Sequence, residues 1–409
     1  MSLKLSKWLP PIEYWIFGLL WLVILLPKYI QLAFFAGMAV LLLCKNGFNL
    51  KMNSVSAAML LLFAVHIFAI VYDLVVLDGP RDRLAAAINT TLLWPITAIY
   101  YAYYSSRKAL DMDVVGRCCC FNLLVMSVFA VITVYLFYIR GIGYYSIFGK
   151  TLYETTFLSG RATTKFFGLN DYSNMNLFYL MLNTTLVLPY LRRKKLWMQL
   201  VMLGIATFEV FLINSRAGMI LFTLSLALGF LELFAPARYR KALFFLAIML
   251  VLAAIIAVFP MLWQLFLDKI IYGNTSSTGF RISILTESIR EAWQKSPIWG
   301  MGIKRYFAEG YPLGSHSTYV GFFYKTGFIG LVLGLFIFFK ANFQVLRHIF
   351  SKARVRLVAM FLLSFVVLFA IEDVDGTNWS SILYFSSLAL CAGLTGTSGP
   401  HPLKETDSL

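Results

Sequence analysis

Runs of about twenty apolar residues recur along this chain, and each is long enough to cross the hydrocarbon core of a bilayer as a helix. Inside that core every backbone N–H and C=O must find its partner within the protein, which leaves helices or a closed barrel. The runs are unbroken rather than alternating, so the fold class is all-α, a polytopic membrane protein. Candidate spans lie near 12–27, 29–44, 55–77, 84–104, 115–139 and 171–191. A second set lies near 196–213, 216–234, 240–259, 317–340, 355–371 and 378–395, giving about twelve transmembrane helices. The first two are short and read as a tilted hairpin around Pro27. With 60% hydrophobic and 13% charged residues, no ordinary soluble domain fits. Residues 1–395 form a single integral membrane domain, and 396–409 a disordered cytoplasmic tail.

The net charge of +16 would suggest nucleic acid in a soluble protein, but here it reads as topology. Basic residues stay on the cytoplasmic side in short loops. Clusters such as Arg192 to Lys195, Arg238 to Lys241 and Arg347 to Arg356 all fall on one side, whereas the short loops opposite hold only Lys28, Arg81, Arg83 and Arg216. Both termini are therefore expected in the cytoplasm, and the long loops at about 140–170 and 260–316 on the periplasmic or extracellular face. Five cysteines lie in or beside apolar segments, which argues against a disulfide framework. The first apolar run lacks a small-residue cleavage site and is followed at once by another, which points away from a cleaved signal peptide. No internal repeat of useful length is visible.

The second long loop is more than a linker. Ile282, Leu285, Ile289 and Trp293 recur every three or four positions, with Arg281, Glu287, Arg290 and Glu291 on other faces. This predicts an amphipathic helix on the membrane surface or over a cavity. Pro297, Gly300, Gly302, Gly310, Pro312 and Gly314 then break regular structure before the chain re-enters the bilayer at His316.

Charged groups at a helix mouth are costly to desolvate and are functional candidates by default. His316 is the first of them: at the start of a span, a neutral imidazole could take a proton from an incoming hydroxyl. The alternative is a capping turn in which Ser315 does the structural work and His316 faces headgroups. Positions 320, 323, 327, 330 and 334 fall near the face of His316 at about 100° per residue, and Gly327, Gly330 and Gly334 would let that face approach another helix. Lys325 falls on the opposite side. Arg216, in a tight turn between two spans, offers a planar fork suited to phosphate oxygens, or else an interfacial anchor. Arg281 opens the amphipathic helix, and Arg161 and Lys165 in the first long loop are further basic candidates. Glu372, Asp373 and Asp375 form an acidic cluster that could bind a divalent metal, act as a base or simply end a helix in water. No phosphate loop, dinucleotide fingerprint or zinc spacing is present, so neither cofactor nor metal is expected.

In its second half the chain resembles the O-antigen ligase and polymerase superfamily of bacterial envelope glycosyltransferases. The resemblance rests on Ser215-Arg216-Ala217, on Gly279-Phe280-Arg281 opening a helix that reaches Trp293, and on Pro297-Ile298-Trp299-Gly300-Met301-Gly302. It continues through His316 and Gly327-Phe328-Ile329-Gly330. The resemblance implies an inner-membrane enzyme that moves a glycan as a block from undecaprenyl diphosphate to an acceptor hydroxyl at the periplasmic face, without nucleotide or metal. Arg216 and Arg281, with Arg161, would hold the diphosphate, and His316 would assist the hydroxyl; Lys165, Glu372 and Asp373 are secondary candidates. Ligases that join O-antigen to lipid A core usually follow the histidine with Asn, whereas Ser317 stands here after a short loop. These departures tilt the expectation toward a polymerase acting on lipid-linked repeat units, with the ligase as alternative. Partners would be the lipid-linked glycan donor, a lipid-linked or lipid A core acceptor, membrane lipids, and a chain-length regulator or other assembly proteins. A transporter or flippase is the competing class. It would show midplane charges, of which Glu209 and Lys325 are the candidates, two related halves and interrupted helices.

Overall fold

Proline 27 sets the first structural problem of the chain, because it has no N–H to continue a helix and leaves the preceding carbonyls without partners. The short helix Trp15–Gly18 leads into Leu20–Leu25, which ends there. One turn into the next helix, the Gln31 side-chain amide donates to the carbonyls of Ile24 and Leu26 at 3.0 and 2.8 Å, so the break is satisfied within the protein. The computed structural model describes residues 11–106, 110–142, 144–147, 150–158, 161–166, 173–191, 194–212, 277–307, 311–346, 362, 365–366, 368–370 and 372–395. The candidate spans 216–234 and 240–259, most of 355–371, Arg216 and the tail after 395 lie outside them.

Nine longer helices follow among the described residues: α1 (Lys28–Lys45), α2 (Ser54–Val76), α3 (Leu84–Ser106), α4 (Met112–Val134), α5 (Ser173–Leu191), α6 (Leu196–Leu212), α7 (Ser277–Lys295), α8 (Thr318–Leu346) and α9 (Ser380–Thr395). Four of these, α1, α2, α4 and α8, are long and apolar enough to cross a membrane. Helix α2 begins where Asn53 caps the N–H groups of Val55 and Ser56, a reciprocal box closed by the Ser56 hydroxyl. Asp111 caps α4 more simply, accepting the N–H of Asp113 alone.

The helices pack in pairs, α2 and α9 against α3, α4 against α5, α2 against α8, and α7 against α8. In lipid, packing and interhelical hydrogen bonds replace the hydrophobic drive between helices. Asn122 accordingly donates to Asn183 at 2.8 Å and to the Phe17 carbonyl at 2.7 Å, and Tyr100 donates to the Phe35 carbonyl at 2.9 Å. Outward faces leave Val75, Val131 and Phe339 exposed, as suits contact with hydrocarbon. The helical framework agrees with the all-α expectation, with one addition. Within the loop at 140–170, Tyr144–Ile147, Lys150–Leu158 and Arg161–Phe166 (β1 to β3) form an antiparallel meander.

Helix α8 departs most from a simple span. At Gly327 the backbone turns to φ 62°, ψ −160°, and the intrahelical ladder is interrupted. An unbroken helix would pair the N–H groups of Phe328 and Ile329 with the carbonyls of Tyr324 and Lys325. Instead those carbonyls take the N–H groups of Met301 and Gly302 at 2.7 and 3.0 Å, and Phe328 donates to Pro297 O at 2.9 Å. The strap after α7 is thus spliced into α8 by backbone alone. A Cβ on Gly327 would lie 2.1 Å from the Ile298 carbonyl oxygen and one on Gly300 2.4 Å from Thr326 N, so both positions admit only glycine. The two halves fold over each other, since Phe322 packs on Gly334, which a straight helix would place about 18 Å away. The expected glycine face for a neighbouring helix is therefore corrected: Gly327 receives the strap, and Gly330 and Gly334 receive side chains of α8 itself.

Candidate active site

The starts of α1, α3, α5, α8 and α9 meet the end of α2 at one end of the bundle, around a cavity of about 480 Å³. Its lining includes Arg83, Lys304 and His316 nearest the helix ends, and His66, Lys325 and Asp375 further in. Lys325 lies seven positions into α8 and His66 ten positions before the end of α2, depths of about 10 and 15 Å along the helices. The first group is called the mouth below, and the second the floor.

His316 sits in the turn before α8 with φ 64°, a left-handed conformation that costs a non-glycine residue about 1–3 kcal/mol. Hydrogen bonds on both sides hold it there. The Gly314 N–H donates to the Ser288 hydroxyl of α7 at 2.7 Å, and the Ser315 hydroxyl to Pro312 O at 2.5 Å. The Thr318 hydroxyl donates to the Glu372 carbonyl at 2.7 Å and accepts the Val374 N–H at 2.7 Å. Ser315 therefore closes the loop and Ser317 faces the first turn of α8, while the His316 ring makes no hydrogen bond among the described residues. Burial first, and then the Arg281 guanidinium together with Lys304, push this imidazole below its ordinary value of 6.5, against the Asp373 carboxylate, which pulls it up. At neutral pH it is an uncharged ring able to accept a proton.

The acidic cluster of the last turn is more than a solvated helix end. Each carboxylate holds one cation from a different element: Glu372 pairs with Arg281 at 3.2 Å, Asp373 with Lys304 at 2.8 Å, and Asp375 with Lys325. Burial alone would raise the Asp375 carboxyl, and the Lys325 and Lys304 ammonium groups overcome it and hold it below the ordinary range. Among the described residues no group of three or more His, Cys, Asp or Glu is placed to hold a metal ion.

The expectation that Lys325 points away from His316 is corrected, since both line the same cavity. The reason is the left-handed turn at His316: the helical phase used to relate the two starts only at Thr318. Arg281 stands beside the site, tied to it through Glu372, whose side chain lines the cavity. Arg161 and Lys165 fall on β3, in register with Leu158 and Glu154. The amphipathic helix forms as expected, but Ile284, Ser288 and Ala292 face inward, while Ile289 and Trp293 are 45% and 59% exposed. The apolar stripe read from the sequence is thus the outward one, suited to lipid.

Sequence reasoning passed over several groups. Asp73, fully buried in α2, accepts from the Ile303 N–H at 3.1 Å and from Arg305 at 3.0 Å, clamping the strap. His66 is 2% exposed, with Nδ1 against the Leu62 carbonyl at 2.9 Å. Both are ionisable residues inside an apolar run, which was signal enough. Lys304 lies on the strap between Ile303 and Arg305 and carried no comparable mark.

Residues 200–335 match the family model described as O-antigen ligase, a stretch that takes in α7, the strap, His316 and the break in α8. No curated protein matches the chain. Among solved structures four chains match. One, from a structure described as "Structural coordination of polymerization and crosslinking by a peptidoglycan synthase complex", is 13% identical with a TM-score of 0.38, covering 82% of this chain and 96% of that one. The match over residues 200–335 bears out the resemblance of the second half of the sequence to the O-antigen ligase and polymerase superfamily.

Proposed function

We propose that this protein transfers a glycan as a block from undecaprenyl diphosphate to an acceptor hydroxyl, with His316 as general base. The observation that carries the reading is an uncharged, half-buried imidazole on the wall of a cavity whose mouth gathers cations from three elements. The acceptor oxygen attacks the anomeric carbon, the bond to the diphosphate oxygen breaks with its electron pair, and the hydroxyl proton passes to His316 Nδ1 or Nε2. Arg281 and Lys304 offset the charge growing on the leaving diphosphate, the place where fixed charges help most. Arg216 is assigned to the same task by resemblance, with Arg161 as a further basic candidate from the first long loop and Lys165 as a secondary one. Glu372 and Asp373 hold Arg281 and Lys304 in position until the anion arrives. No metal or cofactor is assigned a role. The charge pattern of the loops supports an inner-membrane location with this end of the bundle in the periplasm.

Polymerase is the favoured form, with a lipid-linked glycan as acceptor, and ligation to lipid A core is the alternative. Purified protein incubated with undecaprenyl-diphosphate glycan and either acceptor separates them: a ladder of longer lipid-linked products for a polymerase, glycosylated core for a ligase. His316→Ala should lower turnover by about 10²–10⁴ while the protein accumulates normally; full activity in that variant would remove the base. The interrupted α8 with a buried lysine beside the break favours a second reading, transport of the lipid-linked glycan. In that case the glycan crosses vesicle membranes and no new glycosidic bond appears.

A further inference from the structure

Arg83 differs from three other cations of the site. Arg281, Lys304 and Lys325 are each matched to a carboxylate, whereas Arg83 lines the cavity with no acidic partner among the described residues. Its Nη1 is buried and has no hydrogen-bond acceptor there. A buried N–H left unsatisfied is costly, and more so on a charged group. The guanidinium is nevertheless held in place. It ends the short turn Arg81–Arg83 that leads into α3, and the Tyr306 ring lies 4.5 Å from its central carbon. Tyr306 in turn sits on a narrow hairpin, bridged to Pro312 and anchored to α2 through the Arg305–Asp73 pair at 3.0 Å. A cation stacked on an aromatic face keeps its in-plane N–H groups free to donate, and the fork geometry suits two oxygens of one phosphate. The start of α3 adds the positive end of a helix dipole beside it, which disfavours the lone guanidinium and favours an anion.

We infer that Arg83, positioned by Tyr306, binds the diphosphate group of the lipid carrier. The inference rests on the transfer reading for the source of the anion, and it makes Arg83 a binding residue that the sequence marked only as a topology charge. The paired cations at the mouth must exchange a carboxylate for the ligand, while Arg83 Nη1 gains an acceptor that it lacks among the described residues, so it contributes the largest share of ground-state affinity.

The test is equilibrium binding to the full-length protein in nanodiscs, with no acceptor present, so that it does not depend on turnover. The probes are bare undecaprenyl diphosphate, inorganic pyrophosphate, and phosphatidylglycerol as a control for simple headgroup attraction. Arg83→Gln should weaken both diphosphate probes by about 10- to 100-fold and leave phosphatidylglycerol unchanged. Tyr306→Leu keeps the charge but removes the surface that positions it, and should cost roughly threefold. Loss confined to undecaprenyl diphosphate assigns the source to the lipid carrier, and loss of both probes assigns a diphosphate site open to free anion. Wild-type affinity for both probes in Arg83→Gln overturns the inference, as does a loss that appears only with phosphatidylglycerol. An inactive His316→Ala that still binds both probes keeps the two questions apart. Chemistry then fails with binding intact, and a failure of Arg83 to bind leaves the base untouched.

Discussion

Floor and mouth of the cavity, the latter with Arg281 beside it, both hold ion pairs, but in different surroundings. At the floor Lys325 and Asp375 are 5% and 2% exposed, while at the mouth Arg281 and Glu372 are 40% and 13% exposed, with Lys304 and Asp373 between. Depth sets what a pair can do. A buried pair cannot lose one member without stranding the other's charge, whereas a partly exposed pair is weak and can exchange its carboxylate for an incoming anion. The floor is accordingly structural, fixing the turn between 371 and α9 against α8, and the mouth is the part that can respond to a ligand.

The sharpest way to break this contrast is Lys325→Met, which leaves Asp375 buried and unpaired. It should destabilise the protein by about 3–5 kcal/mol, read as a lower unfolding midpoint and poor accumulation, and Lys325→Met with Asp375→Leu should recover most of the loss. A single variant as stable as wild type would mean that the floor is no more rigid than the mouth. Arg281→Lys comes next. Turnover should fall roughly tenfold, because a point charge cannot reproduce a fork, while stability changes by less than about 1 kcal/mol. Wild-type turnover would reduce Arg281 to a headgroup anchor.

The smallest expected effect is on pH dependence. The working form of His316 is the neutral ring, so activity is full above its pKa and falls as pH drops through it. Because that pKa is depressed, the acid limb of kcat/KM should lie below 6.5. Arg281→Gln removes a nearby positive charge and should move the limb up, and Asp373→Asn removes a negative one and should move it down. Identical profiles in all three proteins would detach His316 from the mouth charges.

The sequence was read well where periodicity and charge act locally. The apolar runs near 29–44, 55–77 and 84–104 coincide with α1, α2 and α3, and His316, Glu372 and Asp373 stand out because charged groups beside apolar runs are expensive. It was read poorly where the backbone leaves its helical phase. Lys325 was set aside by a rotation of 100° per residue carried across His316, a residue that is not helical at all. Ile289 and Trp293 were correctly seen as one stripe, but apolarity alone cannot say whether a stripe meets protein or lipid. His66 and Asp73 carry a signal that the reading left unused, since an ionisable group inside an apolar run is costly unless the fold gives it a partner.

The splice in α8 also bears on how the protein is made. Backbone groups without partners cost several kcal/mol each in hydrocarbon, and at the end of the first half of α8 the carbonyls of Tyr324 and Lys325 are answered by Met301 and Gly302. The strap leaves the ribosome before the helix it completes. By the time Tyr324 and Lys325 enter the membrane, their acceptors already have donors waiting beside them. Insertion of this stretch is therefore a concerted step, in which a hairpin of strap and half-helix partitions together, and a stop codon after Thr326 would still leave that first half-helix with its carbonyls paired.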